Sequence, residues 1–327
     1  MRRPNIRPSA VLMMSPASLA DELFTAAMRE ELRALAALDD EVITDLGDER
    51  GRRALRGADI VIAGWGAPRI APADAPGLRA LVYLGGVAAL CLEDVGGWID
   101  RGLALANARR VNAFPVAEYA LAMILLDGKD AFALSRSGRG NPQTPHAHPG
   151  NLRRKVGIVG LSQTARALIA LLRPHELDVR VYSPELTPEA AEELGVRACT
   201  LEEVMAGSDI VSLHQPLTAD TRGQIDGDLL ALMRDGATLL NTARGGVVDQ
   251  DTLLARLREG RIRAILDVTE PEPLPADHPL RTLPNVVLTP HIAGSLGTEL
   301  HRMGRHAVDE VRRFVEGKPF RDQEVLA

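Results

Sequence analysis

Three residues in the last third of the chain have side chains suited to one reaction. Arg244 lies in Asn241-Thr242-Ala243-Arg244-Gly245-Gly246, Glu272 in Asp267-Val268-Thr269-Glu270-Pro271-Glu272-Pro273, and His291 in Thr289-Pro290-His291-Ile292-Ala293-Gly294. A fixed cation, a carboxylate and an imidazole could hold a 2-oxo acid by its carboxylate and protonate its carbonyl. The residue types therefore point to a reaction as well as to a fold.

The elements that must position them alternate between strands and helices. Val156–Val159, Asp178–Tyr182, Asp209–Leu213, Ala237–Leu240, Ala264–Leu266 and Val286–Leu288 are short β-branched or apolar runs that read as buried strands. Between them the helices have legible ends. Thr200-Leu201-Glu202-Glu203 is a capping box, and Thr187-Pro188 places a cap residue before a proline at the first helical position. Gly195, Gly236 and Gly260 stand where a helix is expected to end in a left-handed residue. Strands alternating with helices imply a parallel sheet covered on both faces. The first part of the chain repeats the rhythm more faintly, with strands expected at Ala10–Met14, Ile60–Ala63 and Leu81–Tyr83, and a helix from about Ala20 to Ala36 between the first two. Val116–Phe132 reads as a long apolar helix, followed by a loop from Ser135 through Pro142, Pro145 and Pro149. Glu299–Glu316 reads as a final helix that returns to the first domain.

Strand Val156–Val159 runs into Gly160-Leu161-Ser162-Gln163-Thr164-Ala165, where a dinucleotide fold wants Gly-x-Gly-x-x-Gly or Gly-x-Gly-x-x-Ala. The first glycine makes the turn, the second lets backbone approach the pyrophosphate, and the last lets helix and strand pack closely. The N-terminus of the following helix supplies free N–H groups and partial positive charge. Here Gly160 is kept, Ser162 takes the second position and Ala165 the third. The second strand ends at Tyr182-Ser183 in place of the acidic residue that binds ribose hydroxyls. Serine can hydrogen-bond a ribose but does not repel a 2′-phosphate, which leaves NADP open. No arginine directly follows Ser183 and Glu185 is close, which favours NAD.

The bulk composition narrows the class. At 327 residues the chain exceeds what one core usually serves, so two domains are expected. Hydrophobic residues make up 46% and charged residues 25%, the profile of a soluble globular protein. A net charge of -6 gives no support for nucleic-acid binding. No stretch reads as long and apolar enough to span a membrane, and the apolar run after Met1-Arg2-Arg3 is too short for a signal peptide and is broken by Pro16. Cys91 and Cys199 are unclustered and are expected to be inert, which fits a reducing cytoplasm. His146 and His148 lack a nearby carboxylate or cysteine, so no metal is expected there.

Taken in order, these motifs resemble the D-isomer-specific 2-hydroxyacid dehydrogenase family. The resemblance covers most of the chain, from the Leu81–Val87 region to about Glu310. It is strongest in Val211-Ser212-Leu213-His214-Gln215-Pro216-Leu217-Thr218, Thr221-Arg222-Gly223, Leu240–Gly246, Leu266–Pro275 and Leu283–His291. It implies two α/β domains of Rossmann or flavodoxin-like build with parallel sheets and the active site in the cleft. Residues 1–113 and 294–327 would form the substrate domain, and 114–293 the NAD(P)-binding Rossmann domain. The long helix would build a homodimer interface.

Carried over position by position, Arg244 would bind the substrate carboxylate and carbonyl oxygen. His291 would be the acid in reduction and the base in oxidation, with Glu272 as its partner. Spacing from Asp267 in the family selects Glu272 over Glu270, although either could be an ordinary solvated carboxylate. Arg244 has the ordinary alternative of a surface ion pair, and His291 that of a satisfied histidine at a strand end. Gly160, Ser162, Gln163, Thr164, Ser183, Gln215, Pro216, Thr221, Thr242, Ala243 and Gly294 match the nucleotide site, and Asp267 would face the nicotinamide carboxamide. Leu84, Gly85 and Gly86 match the substrate loop, whose backbone N–H groups hold the carboxylate. His214 is expected to be structural. The implied activity is NAD(P)-dependent interconversion of a 2-oxo acid and a D-2-hydroxy acid. A nucleotide-sensing, corepressor-like scaffold with little turnover is the rival. Formate dehydrogenases carry glutamine where Glu272 stands. The chain ending at Ala327 argues against a phosphoglycerate enzyme with a regulatory C-terminal domain, though not against a short form.

Overall fold

Two parallel sheets, each covered on both faces, account for the buried apolar runs. The computed structural model describes residues 7–137 and 150–326. The strands, in chain order, are β1 (Ser9–Met13), β2 (Ala37–Ile43), β3 (Ile60–Ala63), β4 (Ala80–Tyr83), β5 (Ala104–Asn107), β6 (Lys155–Val159), β7 (Asp178–Tyr182), β8 (Arg197–Ala198), β9 (Ile210–Leu213), β10 (Thr238–Asn241), β11 (Arg263–Leu266), β12 (Val286–Leu288) and β13 (Gln323–Glu324). They form a six-stranded sheet in the order β13-β5-β4-β3-β1-β2 and a seven-stranded sheet in the order β12-β11-β10-β9-β6-β7-β8. Every pairing is parallel except that of β13 with β5. The chain divides into two compact units, residues 1–112 with 295–327 and residues 113–294.

In the first unit, alternate residues of β1 serve opposite faces. Ala10 and Leu12 enter one core with the helix Leu300–Val315, while Val11 and Met13 enter the other with Trp98. Burying each such leucine or valine contributes roughly 1.5–3 kcal/mol, enough to fix which face is which. In the second unit, Leu239 and Leu240 divide the same way between the two cores.

Several sequence expectations shift. The single helix over Ala20–Ala36 is two helices, Leu19–Leu23 and Ala26–Leu35. Phe24 turns extended between them and is buried, and Thr25 caps the second by accepting from the Met28 N–H at 3.3 Å. β2 follows directly and was not foreseen, because this edge strand carries Asp39, Asp40 and Glu41 and lacks an apolar period. β5 was hidden by its alanines, which are poor strand formers. The long helix runs Arg109–Gly128 with Pro115 inside it. It starts ahead of the proline because Asn107 accepts from the Arg109 N–H at 3.0 Å and caps the first turn.

With a mean hydropathy of 1.2, this helix is long and apolar enough to cross a membrane, contrary to the sequence reading. Its Ala117, Ala120 and Ile124 pack into the second unit's core, and Asp127 near its end is buried against Arg154 and accepts from Thr238 Oγ1 at 3.0 Å. Those contacts are of a core helix. Phe132 belongs to the next helix, Ala131–Ser137, which also takes in Ser135 and Arg136 from the expected loop. The rest of that loop, including His146 and His148, lies outside the described residues. Gly195 and Gly260 end helices with positive φ as expected, whereas Gly236, also at positive φ, lies in a turn past Met233, the cap of Gly227–Leu232.

Candidate active site and nucleotide site

β6 ends at Gly160, whose φ of +89° and position both demand glycine. A Cβ there would lie 2.7 Å from the backbone nitrogen of Gln215. The close approach sets the phosphate-loop position against the chain leaving β9. Ser162 does a job that a glycine would not: it is the N-cap of the helix Gln163–Leu172, accepting from the Ala165 N–H at 3.3 Å. Ala165 is fully buried and lets that helix sit close to the sheet. Among the described residues, nothing accepts from the N–H groups of Ser162, Gln163 or Thr164.

Gln215 Oε1 and Thr242 Oγ1 are buried and have no hydrogen-bond partner among the described residues. Orphaned buried acceptors and free helix N–H groups on neighbouring strand ends call for a polar, anionic ligand. A dinucleotide fits them. Around it, Thr221 Oγ1 donates to Pro216 O at 2.6 Å and accepts from the Thr218 N–H at 2.8 Å, which shapes the 216–221 turn. The Ala243 N–H donates to Asn241 Oδ1 at 2.9 Å, and Ser183 Oγ accepts from the Glu185 N–H at 3.3 Å. His214, at the end of β9, is buried with Nε2 2.8 Å from Ser212 Oγ, and burial pushes its pKa down to about 4. It is a neutral structural residue, as the sequence suggested. Burial likewise holds the Cys91 thiol up at about 12.

The acid/base candidates meet beyond β11 and β12. His291 Nδ1 lies 2.5 Å from Glu272 Oε1. An ionised carboxylate only accepts, so Nδ1 carries the hydrogen and Nε2 is left for proton transfer. Nε2 has no partner among the described residues, and both side chains are half exposed. His291 adopts φ +55°, a conformation that costs a non-glycine residue on the order of 1–3 kcal/mol.

Asp267 holds it there. Its backbone carbonyl accepts from the His291 N–H at 3.0 Å. Its buried carboxylate accepts from Ile292 N–H at 2.8 Å, Ala293 N–H at 3.0 Å and Thr289 Oγ1 at 2.6 Å. Tyr119 in turn donates to Thr289 Oγ1 at 2.6 Å. From sequence, Asp267 is expected only to face the cofactor; the clasp is not legible there because its partners lie 22 to 26 residues away.

Arg244 extends from the end of β10, its Nη1 donating to Ala243 O at 2.6 Å. Among the described residues no carboxylate pairs with it, so most of its fork is free. Its loop is pressed onto the glutamate loop: a Cβ on Gly245 would lie 2.0 Å from the Thr269 carbonyl carbon, and one on Gly246 would lie 2.0 Å from Glu270 Oε2. Glu270 pairs with Arg222 at 2.9 Å, leaving Glu272 to His291. The structure thus joins Glu272 to His291 directly and ties Arg244 to them only through packed backbone.

In the first unit, Leu84-Gly85-Gly86 follow β4. Leu84 is buried in the core, and no described residue accepts from the Gly85 or Gly86 N–H. Glu324 on β13 fixes the next turn, accepting from Ala88 N–H at 2.9 Å, Ala89 N–H at 3.0 Å and Asn107 Nδ2 at 2.7 Å. This support for the loop was also invisible in sequence, 236 residues separating Ala88 from Glu324. His306, Glu310 and Asp322 cluster within 4.8 Å of one another, but Asp322 is held by Arg110 at 2.7 Å and Glu310 accepts from the Arg321 and Asp322 N–H groups. The cluster pins the C-terminal segment to its helix.

Residues 125–293 match the family model described as "D-isomer specific 2-hydroxyacid dehydrogenase, NAD binding domain". The chain is 35% identical to the (S)-sulfolactate dehydrogenase of Chromohalobacter salexigens over 251 residues, 73% of this chain and 78% of that one. It is 32% identical to the D-3-phosphoglycerate dehydrogenase of Archaeoglobus fulgidus over 232 residues, 70% of this chain but 44% of that one, so it spans about half the length of that relative. A D-isomer-specific 2-hydroxyacid dehydrogenase from Xanthobacter autotrophicus, solved with NADPH and MES, superposes with a TM-score of 0.75 at 28% identity, covering 98% of each chain. The chain therefore belongs to the D-isomer-specific 2-hydroxyacid dehydrogenase family, and its second unit carries that family's NAD-binding domain.

Proposed function

We propose that the protein is an NAD(P)-dependent oxidoreductase that interconverts a 2-oxo acid and a D-2-hydroxy acid. The observation that carries this is the 2.5 Å contact between His291 Nδ1 and Glu272, on a loop packed without clearance against the one bearing Arg244. Arg244 binds the substrate carboxylate and carbonyl oxygen through its unpaired fork. In the first unit, the Gly85 and Gly86 N–H groups, from which no described residue accepts, are suited to a carboxylate. His291 Nε2 gives its proton to the carbonyl oxygen in reduction and takes it back in oxidation, and Glu272 orients the ring through Nδ1. The reduced nicotinamide supplies the hydride when bound. Gln215 and Thr242, with their orphaned oxygens, and the N–H groups at Ser162 to Thr164 hold the dinucleotide. NAD is the expected coenzyme; Ser183 leaves NADP open. A second copy of the chain is the proposed partner of the helix Arg109–Gly128, on which Phe114 and Leu126 are exposed.

The test is a panel of glyoxylate, hydroxypyruvate, pyruvate and phenylpyruvate with NADH and NADPH, followed by loss of reduced-nicotinamide absorbance. Turnover of at least one acid, abolished in Arg244→Ala and His291→Ala, is expected. Nucleotide binding with no turnover across the panel would make the chain a sensing scaffold instead.

A further inference from the structure

β12 ends one residue before Thr289, whose N–H donates to Leu266 O at 3.0 Å and carries the parallel pairing with β11 one step past the strand. The chain then turns through Pro290 and His291. The His291 N–H donates to Asp267 O and to Thr289 O, each at 3.0 Å, and the turn holds His291 at φ +55°. A left-handed conformation is disfavoured for a residue with a Cβ, so the imidazole is aimed by whatever keeps this turn from relaxing. These residues, and the others that hold the turn, all lie in the second unit.

Thr289 is the joint. Its hydroxyl donates to Asp267 Oδ1 at 2.6 Å, and a hydroxyl has one hydrogen to give. In the 2.6 Å contact between Tyr119 and Thr289, Tyr119 is therefore the donor. The chain runs one way, from Tyr119 O–H to Thr289 Oγ1 and from Thr289 O–H to the Asp267 carboxylate. That carboxylate also receives the Ile292 and Ala293 N–H groups, which follow His291. Successive hydrogen bonds of one sense polarise and strengthen one another. The anchor is firm: Tyr119 stands on the helix Arg109–Gly128, which enters the second unit's core through Ala117, Ala120 and Ile124. Burial raises the pKa of its phenol and the Asp267 charge adds to the rise, so the ring keeps the hydrogen it donates.

We propose that Tyr119 is a positioning residue for proton transfer at His291, acting through the Thr289 hydroxyl and the Asp267 carboxylate to hold the imidazole with Nδ1 on Glu272 and Nε2 free. Its kinetic consequence rests on the activity proposed above. Tyr119→Phe keeps the ring and removes the donor, Thr289→Val keeps the shape and breaks both bonds, and Thr289→Ser keeps the hydroxyl. The test is steady-state kinetics of the full chain with NADH and the oxo acid that turns over fastest in the panel above. Tyr119→Phe is expected to lower kcat by about 10-fold and Thr289→Val by about 10- to 100-fold, with KM for NADH within about 2-fold. Thr289→Ser should stay within about 3-fold of the wild type. The double variant Tyr119→Phe/Thr289→Val should lose no more than Thr289→Val alone, because both changes break one chain.

Side-chain nitrogen NMR spectra of the full chain with labelled histidine read the same geometry without turnover, His291 being assigned by the signal lost in His291→Gln. With the imidazole neutral, the wild type is expected to hold a single tautomer with its hydrogen on Nδ1, and Tyr119→Phe and Thr289→Val to show both tautomers. If no oxo acid is reduced, it is the activity that fails, and the spectra alone decide the positioning. An unchanged single tautomer in both variants would overturn the proposal, as would mixed tautomers in the wild type. So would additive losses in the double variant, or a rise in KM for NADH as large as the fall in kcat, which would place the effect of Tyr119 at the nucleotide.

Discussion

Glu270 and Glu272 lie two residues apart on one loop, and the fold employs them differently. Glu270 forms an ion pair with Arg222 in which both side chains are well exposed, a kind of contact worth about 0–1 kcal/mol. Glu272 faces the imidazole nitrogen that would otherwise compete with Nε2 for the transferable proton. Replacing each glutamate by glutamine keeps the shape and removes the charge. Glu272→Gln is expected to lower kcat for oxo-acid reduction by about a factor of 100, the lower end of what positioned acid–base catalysis contributes. Glu270→Gln should stay within about 2-fold. Steady-state rates of the two variants side by side measure this, and equal losses would remove Glu272 from the mechanism. Sequence spacing had already favoured Glu272. The hydrogen-bonded contact and the separate use of Glu270 had to come from the folded chain.

At the scale of elements, the site depends on loops at the carboxyl ends of β10, β11 and β12 lying in contact. Parallel pairing of these three strands brings the ends together, and Gly245 allows the final approach. Gly245→Ala would force Cβ into the Thr269 carbonyl, moving the Arg244 loop off the Glu272 loop. A displacement near 1 Å costs about 100-fold in rate when reacting groups must align. The variant should therefore lose about that much in kcat/KM while nucleotide affinity, read by fluorescence titration, changes little. Unchanged kcat/KM would show that the two loops need no fixed register. The strands of the second unit were legible because a parallel strand buried on both faces is a continuous apolar run. Those of the first were less so: β2 is a charged edge, β5 is rich in alanine, and β13 has two residues paired antiparallel to a strand far back in the chain.

Across the whole molecule, burial of ionisable groups sets how stability depends on pH. His214 is held neutral, its pKa lowered by burial from 6.5 to about 4. Between those values the unfolded chain binds the proton and the folded chain does not, so His214 makes stability rise with pH across that window. Its contribution is fully present above pH 6.5 and is lost as pH falls toward 4. Denaturant unfolding should show the wild type losing stability relative to His214→Gln as pH falls through this range, and a gap that stays constant would show the imidazole to be protonated when folded. By itself the sequence determined the alternating strands and helices, the glycine turn at Gly160 after β6, and three side chains, Arg244, Glu272 and His291, of types suited to a 2-oxo acid. Those features are local: they depend on periodicity, caps and short motifs within a few residues. Only the tertiary structure decided the clasp of Asp267 on the His291 turn, the pairing of Glu270 with Arg222, and the hold of Glu324 on the turn after β4. Each of these is set by contacts between segments distant in sequence, whose partners are chosen by strand order and close packing, which no local pattern encodes.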